Sequence, residues 1–324
     1  MGTEALSPSR IGLGCMGFSQ GYGEADDLES IRAIRRAVDA GTVLLDTAQS
    51  YGQGHNERLL SIAIGSLRDR VVLATKFGIV RGPDGVALDA HPDRVRGYCE
   101  ASLLRLGVDH IDLYYLHRVD PQVPLEDSVG AMAELVTAGL VTRLGVSEVT
   151  PEQLRRAHAV APISAVQTEW SLFWREVEDE LVPAARELGI KVVAYSPLGR
   201  GLLTGTVRGD QSAAGNFRSS DPRFSGGAIE ANISVVDALS ELARVNDCTT
   251  GQLCLAWLLA QGPAVYAIPG SRRAERLLEN AAASTIDLTP ETLRQIEAVA
   301  GRDRWAGDRQ SFAAVNTSRS EPPG

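Results

Sequence analysis

The sequence predicts an α/β protein: a single (β/α)8 TIM barrel with a long loop and extra helix between its seventh and eighth strands, and a C-terminal helix and tail. Three observations predict it. Eight short apolar runs alternate in strict order with eight longer segments whose apolar residues recur at helical spacing. Most of the runs are continuously apolar, as suits strands buried on both faces. Gly41, Gly107, Gly139 and Gly189 each follow a helical segment, where a left-handed residue closes a helix before the next strand. The 324 residues then form one barrel, with its core at about 10–300 and a polar tail at 301–324 expected to be partly disordered.

The first strand is expected at residues 10–15 and the first helix at 26–40. Strands at 42–46, 71–75 and 111–116 are separated by helices at 56–64 and 92–106, where Pro92 suits a first turn. Helices at 125–138, 151–160 and 178–188 precede strands at 142–147, 165–169 and 191–196. The rhythm then breaks: residues 199–227 are rich in Gly, Ser, Asp and Arg and lead into an extra helix at 232–245. A loop of that length is expected to serve a site. A helix at 249–261, capped by Thr249 or Thr250, precedes the eighth strand at 264–268, and one at 273–281 follows it. Leu288-Thr-Pro introduces the last helix.

Hydrophobic residues make up 44% and charged residues 23%, the balance of a folded globular chain. The net charge of -9 argues against broad electrostatic binding of nucleic acid or an acidic membrane, and leaves room only for local anion pockets. Cys15, Cys99, Cys248 and Cys254 are scattered without a CxxC pair, so they read as free thiols in a reducing compartment, with no metal site. No leader pattern or apolar stretch of bilayer length is present, and a cytoplasmic location is expected.

Gly12-Leu-Gly-Cys-Met-Gly17 matches the GxGxxG dinucleotide fingerprint literally. The context argues against it. No helix opens at the third glycine, and Asp46 lies beyond the expected interval of about 20 residues. The segment reads as a Gly-rich turn after the first barrel strand.

In a barrel, functional side chains sit at or just after the C-terminal ends of strands. Reading those positions in order yields Asp46 with the following Tyr51, then Lys76, then His117. An ammonium beside a tyrosine lowers the phenol's pKa, a carboxylate keeps that ammonium charged, and a histidine donates to a carbonyl oxygen. The set suits carbonyl reduction by hydride. His110 and Lys191 fall at the opposite strand ends, where a stability role is expected. Lys76 is one of only two lysines among the 32 basic residues, so this position departs from the chain's preferred arginine.

Leu45-Asp-Thr-Ala-Gln-Ser-Tyr-Gly52, Ala74-Thr-Lys-Phe-Gly78, Ile111-Asp-Leu-Tyr-Tyr-Leu-His117, Leu144-Gly-Val-Ser147 and Tyr195-Ser-Pro-Leu-Gly199 resemble, in order, the signatures of the aldo-keto reductase superfamily. The closest likeness is to bacterial, plant and yeast members with Val129–Leu135 and Arg156–His158 in their helices. The resemblance implies that Asp46, Tyr51, Lys76 and His117 form the catalytic tetrad, with Tyr51 as general acid, and that NADPH or NADP+ lies across the barrel mouth. Met16 and Asp46 would touch it, Ser147 and Gln167 would hold the carboxamide, and Trp170 would stack on the nicotinamide. Glu148 stands where asparagine is common. Tyr195, Ser196, Pro197, Leu198, Gly199, Arg200 and Gly201, with the long loop, would wrap the pyrophosphate.

After the eighth strand, Ser271, Arg272 and Arg276 gather a hydroxyl and guanidiniums at a helix N-terminus suited to a ribose 2′-phosphate. By resemblance Arg276 and Ser271 make that contact, Arg272 stands in for a lysine replaced by Gly270, and Glu279 and Asn280 hold the adenine. The expected function is NADPH-dependent reduction of a small aldehyde or ketone. Two alternatives are a nucleotide-holding regulatory subunit with little turnover and a Schiff-base aldolase using Lys76. Phe18, Tyr22, Gln49, Phe77, Arg118 and Trp305 are the candidates to line the substrate pocket.

Overall fold

The computed structural model describes residues 5–82, 85–211 and 216–309. In chain order the strands are β1 (Leu13–Gly14), β2 (Leu44–Asp46) and β3 (Val72–Phe77), an antiparallel hairpin of β4 (Ile79–Gly82) and β5 (Gly85–Leu88), then β6 (Ile111–Leu116), β7 (Val141–Ser147), β8 (Ile163–Glu169), β9 (Lys191–Tyr195) and β10 (Val265–Ala267). All but the hairpin form one parallel sheet in sequence order. Ile11 bridges Ala267 in parallel, and Gly12 N–H donates to the Ala267 carbonyl at 2.8 Å, which closes the barrel.

Helices α1 (Asp27–Asp39), α2 (His55–Ile64), α3 (Pro92–Leu106), α4 (Leu125–Thr137), α5 (Pro151–Val160) and α6 (Leu181–Glu187) cover the sheet, followed by α7 (Gly226–Val245), α8 (Thr250–Ala260), α9 (Ala274–Ala282) and α10 (Pro290–Ala300). Thr249 caps α8 in a capping box with Gln252, and Gly41, Gly107, Gly139 and Gly189 all adopt positive φ at helix ends. The extra helix starts at Gly226, six residues before the expected 232, because its first turn is built from glycines that read as loop.

The hairpin was not expected from the sequence. Its two short strands flank Gly82-Pro-Asp-Gly85, a turn signal that could have marked it. Part of the tail is ordered too. Arg302–Arg304 form a 3-10 turn, Trp305 packs edge-on against Phe173 at 5.1 Å, and Ala306 exchanges backbone bonds with the Asn232 side chain of α7. The remainder of the tail, 310–324, lies outside the described residues.

Side chains alternate across each strand, so every second residue faces the barrel axis. Leu44, Ala74, Leu113, Tyr115, Ala165, Val193, Tyr266 and Ile268 form one buried cluster at that axis, with Leu6 among them, its N–H donating to the Tyr266 hydroxyl. Gly145 makes room for this filling: a Cβ there would lie 2.4 Å from the Tyr115 ring. The larger cluster sits between sheet and helices.

Candidate active site

Continuing the same alternation by two residues carries the axis-facing rows from apolar to polar: Leu44 to Asp46, Ala74 to Lys76, Tyr115 to His117, Ala165 to Gln167 and Val193 to Tyr195. The last inward rung is therefore a ring of chemical groups on an apolar plug. Lys76 is fully buried, its ammonium paired with the Asp46 carboxylate and donating to the Thr47 carbonyl at 2.8 Å. Gln167 Nε2 donates to the other Asp46 oxygen at 2.8 Å.

Tyr51 comes from the turn after β2, where Gly52 and Gly54 take positive φ. Behind that turn, Thr47 Oγ1 donates to Asn56 Oδ1 at 2.6 Å, and Asn56 Nδ2 donates to the Cys15 carbonyl at 2.9 Å. The fully buried Glu57 accepts from Thr75 and pairs with Arg105. These ties hold the loop so that the Lys76 ammonium lies 5.2 Å from the Tyr51 ring centroid and His117 packs edge-on to Tyr51 at 5.9 Å.

Burial raises the Tyr51 pKa above the ordinary phenol value, and the Lys76 charge only partly counters it. The sequence-based expectation of a net lowering is corrected, because desolvation outweighs the ammonium. Burial likewise disfavours the Lys76 ammonium, but Asp46 and Tyr51 outweigh it and the pKa moves up. His117 is pushed well below the usual imidazole value by burial and then by the charges of Arg118, Lys76 and Arg81, so its ring is neutral. Its Nδ1 is buried with no hydrogen-bond partner among the described residues.

A cavity of about 690 Å³ runs from Tyr51 and His117, past Ser147, Gln167 and Tyr195, to Ser271, Arg276 and Asn280. Met16, Asp46, Ser196, Pro197, Leu198, Arg200, Gly201, Arg272 and Glu279 also line it. The loop after β9 holds Ser196 and Arg200 at φ of +47° and +54°. Strain of that kind costs of order 1–3 kcal/mol per residue and clusters at ligand sites. An elongated groove with amide and hydroxyl donors at one end and guanidiniums at the other suits an extended nucleotide with an acidic tail.

Several expected contacts are placed elsewhere. Trp170 does not line the cavity: it is buried on the helix-facing side and its indole N–H donates to Glu178 at 2.9 Å, since alternation from Gln167 puts residue 170 on the outward face. Tyr195 supplies the aromatic wall instead. Gly199 is a left-handed turn residue packed against Phe173, outside the lining. Glu148 has φ +54° and faces outward, where its carboxylate accepts from Thr168 and the Glu169 N–H and pairs with Arg309 at 2.7 Å.

Arg200 is pinned to Asp221 at 2.6 Å, Arg272 donates to the Tyr22 carbonyl at 2.9 Å and to that of Glu24, and Arg276 pairs with Glu279 within α9. Of the substrate-pocket candidates, Tyr22 and Arg118 line the cavity; Phe18, Gln49, Phe77 and Trp305 do not. Phe77 is buried in a stack with Tyr114 at 5.1 Å. Arg273, one of the three guanidiniums expected at the start of α9, lines the cavity too, whereas Arg81, Gln20, Phe217 and Arg218 were not expected and come from the hairpin and loops that no periodicity marks.

Residues 10–300 match the sequence profile of the Aldo/keto reductase family. The chain belongs to the aldo/keto reductase family. As a member it is similar to a Glycine max protein described as "Probable aldo-keto reductase 1", with 41% identity over 299 residues that cover 91% of this chain and 86% of the relative. It is also similar to the solved glycerol dehydrogenase of Gluconobacter oxydans, with TM-score 0.85 and 30% identity over 95% of this chain and 98% of that one. An aldo-keto reductase of Klebsiella pneumoniae, solved in complex with NADPH, gives TM-score 0.70 and 30% identity over 90% and 91%. This family membership supports oxidoreductase activity.

Proposed function

We propose that the chain is an NADPH-dependent reductase of aldehydes or ketones in which Tyr51 is the proton donor. The observation that carries this reading is that Tyr51, Lys76, Asp46 and His117 converge at one end of a groove whose other end gathers Ser271, Arg276 and Asn280. The NADPH bound by the Klebsiella pneumoniae relative fits the same reading. Ser147 and Gln167 would hold the carboxamide, Tyr195 would face the nicotinamide, the loop 196–201 the pyrophosphate, and Arg276 with Ser271 the 2′-phosphate. When bound, the cofactor supplies the hydride.

The protein's own groups do the rest. Neutral His117 donates a hydrogen bond to the carbonyl oxygen. Tyr51, kept protonated by burial, gives its proton to that oxygen as the carbonyl carbon receives the electron pair of the hydride, and the product is an alcohol. The phenolate left behind is stabilised by the Lys76 ammonium, which Asp46 holds charged. A charged, buried and paired Lys76 is a poor nucleophile, which speaks against Schiff-base chemistry at this residue.

Tyr51→Phe removes the donor and little volume. Turnover of a reactive aldehyde is expected to fall by a factor on the order of 10² to 10⁴, while fluorescence titration shows NADPH binding nearly unchanged. Undiminished turnover would remove Tyr51 from this role. Wild-type NADPH binding without turnover of any aldehyde or ketone would favour the regulatory alternative.

A further inference from the structure

Arg118 follows His117 directly and is only 6% exposed. Its Nη1 donates to the His117 carbonyl at 2.6 Å and to Ser147 Oγ at 3.2 Å, both uncharged acceptors. Its Nε is buried with no hydrogen-bond partner, and no carboxylate lies within ion-pair distance among the described residues. A desolvated guanidinium without a counter-anion is costly, and the chain avoids that cost elsewhere: Arg200 and Arg223 are as deeply buried, and each is paired with Asp221.

Arg118 borders the cavity beside His117 and Tyr51. A second guanidinium, Arg81, reaches the same cavity from β4 of the hairpin, flanked there by Ile79 and Val86, and it too has no ion pair among the described residues. Both arginines line the cavity that His117 lines, and their charges add to the burial that disfavours the protonated His117 ring. That end therefore holds two guanidiniums without an ion pair among the described residues, one buried and one exposed, around the position of the reacting carbonyl.

We infer that the substrate is an aldehyde or ketone that carries a carboxylate, held by Arg118 and Arg81 while its carbonyl lies against Tyr51 and His117. This rests on the reductase reading above and names its substrate class. Arginine presents paired N–H donors in a fork that matches a carboxylate, and a monoanion neutralises the buried Arg118. Arg118 sets the position of the charge, and the more exposed Arg81 strengthens capture.

The test compares 4-carboxybenzaldehyde with methyl 4-formylbenzoate, which differ in charge while keeping the ring and aldehyde. With NADPH-loaded wild-type protein, kcat/KM is expected to favour the acid by roughly tenfold to a hundredfold, the worth of a hydrogen bond to a charged group, mostly through KM. In Arg118→Met the ratio should fall to about one, Arg118→Lys should restore part of it, and Arg81→Met should lower it less. Because each ratio compares two substrates on the same protein, a purely structural defect or a role confined to propping Ser147 lowers both rates and leaves the ratio intact; that result overturns the inference. Equal turnover of acid and ester by the wild type overturns it as well. If neither compound is reduced, the reductase reading fails, and calorimetry of 4-carboxybenzaldehyde with the NADPH-loaded protein decides this inference separately. Binding lost in Arg118→Met supports it, and absence of binding overturns it.

Discussion

Two buried charge clusters lie at successive levels near the ends of β7, β8 and β9, and they are built on opposite plans. In the outer one, at the barrel mouth beyond the rung of Gln167, Glu148, Glu169 and Asp221 meet Arg200, Arg223 and Arg309, three carboxylates against three guanidiniums. Arg223 binds Asp221 through Nη2 at 2.7 Å and Glu169 through Nη1 at 3.0 Å, and Arg309 bridges Glu148 and Glu169 while donating to the Tyr195 hydroxyl. Burial would raise the Glu169 pKa, yet the facing arginines outweigh it and hold the group below the ordinary carboxylate value. In the inner one, Asp46 pairs with Lys76, and Arg118 has no ion pair among the described residues. The charges of the outer cluster balance, whereas among the described residues the inner one carries an excess positive charge that a bound anion would neutralise. The first is architecture and the second is a site.

That contrast can be broken most forcefully at Arg223. Arg223→Met leaves Glu169 and Asp221 short of a buried partner and is expected to cost about 3–5 kcal/mol, read from urea unfolding; a loss below about 1 kcal/mol would show that the outer charges are not mutually dependent.

The acid limb of stability gives a smaller effect. His117 has a depressed pKa in the folded chain, so the unfolded state takes up the proton first as pH falls below the ordinary imidazole value near 6.5. Folded stability is then lost as pH falls below that value, by up to about 1.4 kcal/mol per pH unit, and is fully present above it. His117→Asn should flatten this slope. An unchanged slope would mean that the inner site accepts a proton without penalty, contrary to its excess of cations.

The smallest change is expected at Arg118. With no anion to strand, Arg118→Met should alter unfolding free energy by less than about 1 kcal/mol in either direction. A loss as large as that at Arg223 would place Arg118 in the architectural class.

The inner site was largely legible in the sequence, because each strand ends by replacing an apolar residue with a chemical one: Leu-Leu-Asp46, Ala-Thr-Lys76, Tyr-Leu-His117. The stacking role expected of Trp170 fails on the alternation of the strand itself. Trp170 stands three residues after the inward Gln167, and odd spacing turns it to the outer face; Tyr195 stands two after the inward Val193 and belongs to the wall. Glu148, next to the inward Ser147, turns outward by the same rule. The net lowering of the Tyr51 pKa failed for a different reason: residue identity shows which charges are near and says nothing of how deeply they are buried. Arg309 was beyond reach, since a Gly, Asp and Arg-rich tail looks solvated until Asn232, Phe173 and Glu148 are seen to receive it.

Arg309 follows every barrel strand in the chain, so it leaves the ribosome after the carboxylates it must neutralise. A domain folds as a unit, and a chain cut short before Arg309 would have to close its barrel with Glu148 and Glu169 lacking one of their cations. The same loss would leave the Tyr195 hydroxyl without the guanidinium that donates to it.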